Sequence, residues 1–264
     1  MKRITVIFAS PRKKNTLDVV KRTEQEMKKL GSVEFDYIFL KDSDIRPCMG
    51  CFNCFTKGVD ICPLKDDRIE IEKKMEKSDG VIFATPVYAM TMSGLLKNFM
   101  ERSVYLCHRP KFFEKPAMFI ATTGGVGLKE TFKAMDTFQT WGFHSTVKLG
   151  LVSPPFKPKQ SFIDKRKKKI YKKSAEFYKL VNLEKIPDPS LNMVLFFYAF
   201  RKMTKIAPNE LPEDNRYWKR NGWHDRKAHY FRNDVRVGPL KRLLGNLMSS
   251  MIEKGSRKDF YISD

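Results

Sequence analysis

Apolar residues in the first 150 positions come in short runs, separated by longer stretches with helical spacing. Residues 4–9 (ITVIFA) form the first run, rich in β-branched side chains and flanked by basic residues. Such a run reads as a strand buried on both faces, as in a parallel sheet. An amphipathic helix is expected from the following loop to about Leu30, and Gly31-Ser32 ends it. Residues 33–40 alternate like a second strand. A helix is expected from Asp66-Asp67 to about Lys77, and residues 81–84 read as a third buried strand that Pro86 stops. Residues 92–104 place Met92, Leu95, Leu96, Phe99 and Met100 on one side of a helix. Residues 118–121 form a fourth strand, residues 128–141 a helix, and residues 146–152 a fifth strand.

Five strands alternating with helices predict an α/β fold, a doubly wound parallel sheet. Right-handed crossovers and a loop of phosphate-binding character after the first strand give the flavodoxin-like order 2-1-3-4-5. Ligands in such sheets bind beyond the carboxyl ends of the strands. Three loops should meet there: residues 10–16, 85–88 and 122–125. In the first, Ser10, Asn15 and Thr16 are short donors and Arg12 adds charge. Free N–H groups at a helix start attract an anion. The same residues would also serve a capped helix with a solvated basic loop, and the loop has no glycine.

Residues 48–67 change the picture from fold to chemistry. Four of the five cysteines fall here, as C-x2-C-x2-C-x7-C-P at Cys48, Cys51, Cys54 and Cys62. Clustered cysteines without a disulfide framework favour metal or redox chemistry. The first three resemble a ferredoxin run, with the fourth spaced further away. Structural zinc usually pairs two C-x2-C knuckles, and one extended run stands here. Packed thiols near the loops are the plainer alternative. Cys107 reads as a buried apolar residue, and His108, His144, His224 and His229 have no metal-ligand spacing.

With Ser-Pro-Arg and Asn-Thr in the first loop, C-x-G-C-x-x-C with a later C-x-x-x-D-D, Thr-Pro-Val-Tyr at the third strand and Thr-Thr-Gly-Gly at the fourth, the chain resembles the NAD(P)H-dependent FMN reductase family. The resemblance is greatest to its iron–sulfur flavoprotein branch, and it covers about residues 1–150. It implies FMN, its phosphate held by Ser10, Arg12, Asn15 and Thr16. Thr85, Pro86, Val87 and Tyr88 would line the isoalloxazine, and Thr123, Gly124 and Gly125 would approach its polar edge through backbone N–H groups. It further implies a [4Fe–4S] cluster on Cys48, Cys51, Cys54 and Cys62. Two departures stand out: the first loop is one residue shorter than the family's glycine-containing form, and Glu101-Arg102 replaces a common Asp-Arg pair.

Charge separates the rest of the chain. The net charge is +21, and two thirds of the excess lies in the last 114 residues. Residues 1–152 are therefore read as a flavodoxin-like FMN-binding domain and residues 153–264 as a basic, mostly helical C-terminal extension. Helices are expected over 162–180 and 191–203. An aromatic stretch holds Tyr217, Trp218, Trp223, Tyr230 and Phe231. A last amphipathic stripe joins Leu240, Leu243, Leu244, Leu247, Met248 and Met251. The extension is expected to pack on the first domain and on a second subunit, as a homodimer or higher homo-oligomer. Docking to a membrane surface, then to nucleic acid, are the further readings of its charge and aromatics. No signal peptide or spanning segment is read, so a cytoplasmic location is expected.

Two functions follow. One is an FMN-dependent oxidoreductase passing electrons between NAD(P)H, or a ferredoxin-like donor, and an acceptor. The other is a non-catalytic flavin redox sensor or docking module whose basic third binds a membrane surface or nucleic acid.

Overall fold

The computed structural model describes residues 1–259. The chain divides into two compact units, each assembled from separated segments. The first unit takes Met1–Cys48, Asp66–Val104 and Glu114–Lys185; the second takes Met49–Lys65, Tyr105–Phe113 and the chain from Ile186 onward.

The first unit is a parallel sheet with helices. In chain order it contains β1 (Lys2–Phe8), α1 (Asn15–Leu30) and β2 (Val33–Phe39). The one-turn α2 (Asn53–Thr56) belongs to the second unit. Next in the first unit come α3 (Arg68–Glu76), β3 (Gly80–Tyr88), β4 (Thr91–Met92) and α4 (Gly94–Arg102). They are followed by β5 (Ala117–Thr123), α5 (Leu128–Met135), β6 (Thr146–Val152) and α6 (Gln160–Val181). The long strands lie in the order β2-β1-β3-β5-β6, all parallel, which is the flavodoxin-like order expected. Central strands are covered on both faces, so β1 and β5 bury consecutive residues instead of alternating. Ile4, Val6, Ile82, Met118, Ile120 and Leu149 anchor one core cluster, which Ile170, Phe177 and Val181 of α6 complete.

Two expectations are corrected in this unit. Pro86 does not stop β3, which continues to Tyr88, with Pro86 beside Thr122 of β5. The β1 pairing ends at Ala84, whose carbonyl accepts the Ala9 N–H. Two residues further on, the Pro86 nitrogen faces the same side, beyond the end of β1, so no ladder bond is lost. Beyond Tyr88 the chain reverses into β4 through Ala89 and Met90, both at positive φ. Second, the compositional break after residue 152 is not where the compact unit ends. Helix α6 packs along α1 and completes the first core, so this unit runs to Lys185.

In the second unit, α7 (Leu191–Ile206), α8 (Pro212–Arg220) and α9 (Pro239–Asp259) surround an aromatic core. Phe197, Tyr198, Trp218, Trp223, Tyr230 and Phe231 form it, all under one-tenth exposed. Most of the aromatic stretch seen in the sequence is therefore core. Helix α9 packs on α7 through Gly245 and Ser249, while Leu240, Leu243, Leu247 and Met251 remain exposed. The last five residues of the expected extension lie outside the described residues. Among the described residues no helix is long and apolar enough to cross a membrane.

Candidate functional site

At the carboxyl ends of β1, β3 and β5 a cavity of about 210 Å³ opens within the first unit. It is lined by Ser10, Arg12, Lys14, Asn15 and Thr16 from the first loop, and by Pro86, Val87 and Tyr88 from the end of β3. Thr122, Thr123, Gly124 and Ser153 complete it. Nine of the eleven expected cofactor-binding residues thus meet in one place. Thr85 and Gly125 do not line the cavity. Lys14 and Thr122, within the expected loops but not singled out there, do line it, as does Ser153, which lies outside them.

Each strand end is shaped by its own hydroxyl. The Ser10 hydroxyl donates to the Arg12 carbonyl at 2.8 Å and accepts the Arg12 N–H at 3.3 Å. Thr123 repeats the device, donating to the Val126 carbonyl at 2.6 Å and accepting the Gly125 N–H at 3.2 Å. Buried Thr85 donates to the Pro86 carbonyl and accepts the Ser93 N–H. Ser93 in turn donates to the Ala9 carbonyl at 2.6 Å and caps α4 by accepting the Leu96 N–H. A buried bond of 2.7 Å between the Thr16 and Thr122 hydroxyls ties the first loop to β5. The hydroxyl proton of Ser10 is thus directed into its own loop. What this loop turns outward is the exposed Arg12, Lys14 and Asn15 and the start of α1, which has no side-chain cap. Helix starts of this kind leave backbone N–H groups for an anion.

The opposite wall depends on close backbone approach. At Gly127, φ is +90°, and a Cβ there would meet Val87 Cγ1 at 2.7 Å and the Met90 Cα at 3.1 Å. The loop after β5 therefore sits against the β3–β4 hairpin. Tyr88 is about one-third exposed, enough to offer a ring face to a planar ligand. Cationic groups and a helix start at one end, with an aromatic and aliphatic wall at the other, suit a phosphorylated planar ring. A larger cavity of about 460 Å³ lies in the second unit, bordered by Lys227, Arg232 and Arg242. No strand end reaches it and no set of strand-end loops converges on it, so chemistry rather than volume selects the first.

The cysteine segment leaves the first unit through a pinned neck. Asp67 accepts the Asp44 N–H at 2.8 Å, and its own N–H donates to the Asp44 carbonyl. Asp66 accepts the Arg46 N–H and pairs with buried Arg102 at 2.7 Å. The two acidic residues expected in the first turn of a helix therefore close a loop, and Arg102, left without a role by the sequence reading, holds it. Cys48 stands at the end of this neck in the first unit; Cys51, Cys54 and Cys62 belong to the second. Cys48 and Cys51 are exposed, Cys54 and Cys62 half-buried. Their thiols are the donor type that iron–sulfur clusters use. Among the described residues no group of three or more His, Cys, Asp or Glu is gathered closely enough to hold a metal ion. Cys107, expected to be buried, is half-buried.

In the second unit the segment is held by residues that sequence spacing could not bring together. Arg109 donates to the Cys54 carbonyl. The Phe55 ring lies 4.6 Å from that of His108. Fully buried Asp214 of α8 meets His108 Nδ1 at 2.6 Å and Arg109 Nε at 3.1 Å. The second contact is an ion pair by distance, not an aligned hydrogen bond. Elsewhere in this unit, burial first, then Lys205, Arg201 and Lys219, push His224 down to about 4.

Comparison with known proteins agrees with this geometry. The family described as NADPH-dependent FMN reductase matches residues 2–152. An iron–sulfur flavoprotein of Archaeoglobus fulgidus is 39% identical over 101 residues, covering 38% of this chain and 48% of that protein. One of Clostridioides difficile is 29% identical over 211 residues, covering 76% and 89%. The chain spans about half the length of the first of these curated relatives. Among solved structures, RosB with bound 8-demethyl-8-formylriboflavin-5′-phosphate superposes with a TM-score of 0.54 at 12% identity, over 90% of this chain and 92% of that one. At that identity the likeness concerns the fold alone. The chain belongs to the NADPH-dependent FMN reductase family, and the curated relatives it is similar to are iron–sulfur flavoproteins.

Proposed function

We propose that the chain is an FMN-dependent oxidoreductase that moves electrons between NAD(P)H, or a ferredoxin-like donor, and an acceptor. The observation that carries this reading is the single cavity made by the loops after β1, β3 and β5. Arg12, Lys14 and the start of α1 hold the phosphate; Pro86, Val87 and Tyr88 flank the ring; the backbone at Thr123 and Gly124 meets its polar edge. FMN supplies hydride acceptance and one-electron release, and the protein positions it and tunes its potential. Family membership supports FMN, and the site needs no acid–base triad for such chemistry.

The four-cysteine run at Cys48, Cys51, Cys54 and Cys62 is the proposed ligand set of a [4Fe–4S] cluster, which would supply a one-electron port. Its support is the donor chemistry, the spacing, and the name that the relatives share. The basic surface steers an acidic redox partner, at a rate that falls as salt rises.

Stopped-flow mixing of the FMN-loaded protein with NADH, NADPH or reduced ferredoxin tests the enzyme. Rapid bleaching of the flavin by one of them is expected. Inertness to all three would leave the sensor or docking module in its place.

A further inference from the structure

Helix α9 turns one of its apolar stripes outward. Leu240, Leu243, Leu247 and Met251 recur at the spacing of one helix face. A helix of a folded unit normally turns such a face inward. Here the buried positions are Gly245 and Ser249, flanked by half-buried Leu244, Met248 and Ile252. The exposures of Leu240, Leu243, Leu247 and Met251 are 67%, 56%, 53% and 70%. Rotating the helix to bury them is blocked. A Cβ at Gly245 would lie 2.5 Å from the Tyr198 ring, which a leucine there could not clear. Ser249 donates to the Tyr198 carbonyl at 3.0 Å, and Glu253 pairs with Lys202 at 2.7 Å. The small inward residues and the large outward ones are two halves of one arrangement.

Charge selects what covers the stripe. Lys254 and Lys258 fall on the same face by helical spacing, and Lys241, Arg242 and Arg257 lie elsewhere on the helix, all exposed apart from half-buried Lys241. The helix has two carboxylates in its described length: Glu253, tied to Lys202, and Asp259 in its last position. A second copy of α9 would join two cationic helices with few carboxylates to pair them, in a chain of net charge +21. An anionic bilayer matches both the apolar stripe and the cations, since leucines enter the headgroup boundary while lysine stems reach its phosphates.

We propose that the exposed face of α9 (Leu240, Leu243, Leu247 and Met251 with Lys254 and Lys258) docks the protein on the surface of an anionic lipid bilayer. This rests on the second unit alone and is independent of the flavin reading. The docking is peripheral, since no described helix can span a bilayer.

Co-sedimentation of the full-length protein with vesicles tests it. One set is phosphatidylcholine alone; the other is an equal mixture of phosphatidylcholine and phosphatidylglycerol. Binding to the mixed vesicles is expected, with little to phosphatidylcholine, and it should weaken as salt is added. Leu243→Asp with Leu247→Asp should lower the partition constant about tenfold or more. Lys254→Glu with Lys258→Glu should lower it too. Both pairs are at exposed positions, and far-ultraviolet circular dichroism checks that the variants fold. Equal binding to the two vesicle types, or binding unchanged in the leucine variant, would overturn the proposal. So would a dimer in light scattering that the leucine variant dissociates, with no sedimentation on either vesicle.

Discussion

Arg12 lines the proposed flavin site and Gly127 packs behind its wall at Val87, and they work for opposite reasons. Arg12 contributes an exposed charge at a helix start. Replacing it with alanine removes a charge-assisted contact to phosphate, so FMN affinity should fall about tenfold or more. Quenching of FMN fluorescence on titration measures it, and an unchanged constant would assign the phosphate elsewhere. Gly127 contributes the absence of a side chain. Gly127→Ala combines positive φ with a contact of 2.7 Å to Val87, and should cost about 1–3 kcal/mol in thermal or urea unfolding. The residue types at both loops were legible from Ser-Pro-Arg and Thr-Thr-Gly-Gly. The bond between Thr16 and Thr122 was not, because it joins residues 106 positions apart. Nor was the way Ser10 and Thr123 each fold their own loop, since sequence shows a hydroxyl but not where its proton goes.

Helices and strands were easier to read where burial follows a simple period. Helix α1 and strand β6 fall where their patterns place them. The β3 end differs from its sequence pattern because past the end of β1 the missing N–H of Pro86 has no partner to lose, which depends on the neighbouring strand and not on the local sequence. Helix α9 was legible as amphipathic but not in its orientation, which Gly245 and Tyr198 decide. In the second unit, α8 carries Asp214, fully buried against His108 and Arg109. Asp214→Ala leaves a buried arginine uncompensated, and should cost about 3–5 kcal/mol of stability in urea unfolding. A loss within experimental error would show that the ion pair contributes nothing. His224 gives that unit a pH signature. Its folded value of about 4 lies below its ordinary 6.5. The unfolded chain therefore binds the proton first, and stability is lost as pH falls from 6.5 towards 4. His224→Gln cannot take up that proton, so its urea midpoint should drop less between about pH 7 and about pH 4.5 than the parent's. Equal drops would remove His224 from the account.

As a whole molecule, the chain joins a flavodoxin-like unit to a second, aromatic-cored unit, and the cysteine segment passes from one to the other. The compositional break after residue 152 reflects charge, whereas the compact units follow packing, with α6 in the first core and Cys51, Cys54 and Cys62 in the second unit. That difference could not be read from net charge, because lysines on α6 are solvated while its opposite face is buried. For the cluster, iron and acid-labile sulfide on anaerobically reconstituted protein should both be present. Cys54→Ala and Cys62→Ala should lose them while keeping flavin. Reconstituted protein without iron would remove the cluster and leave the flavin site untouched.

The central claim is that three strand ends build one FMN site, and equilibrium titration of FMN with the protein tests it most directly. Wild-type protein should quench the flavin at one FMN per chain, with Arg12→Ala and Gly124→Val both weakening it. No quenching, or quenching that neither substitution changes, would contradict the account.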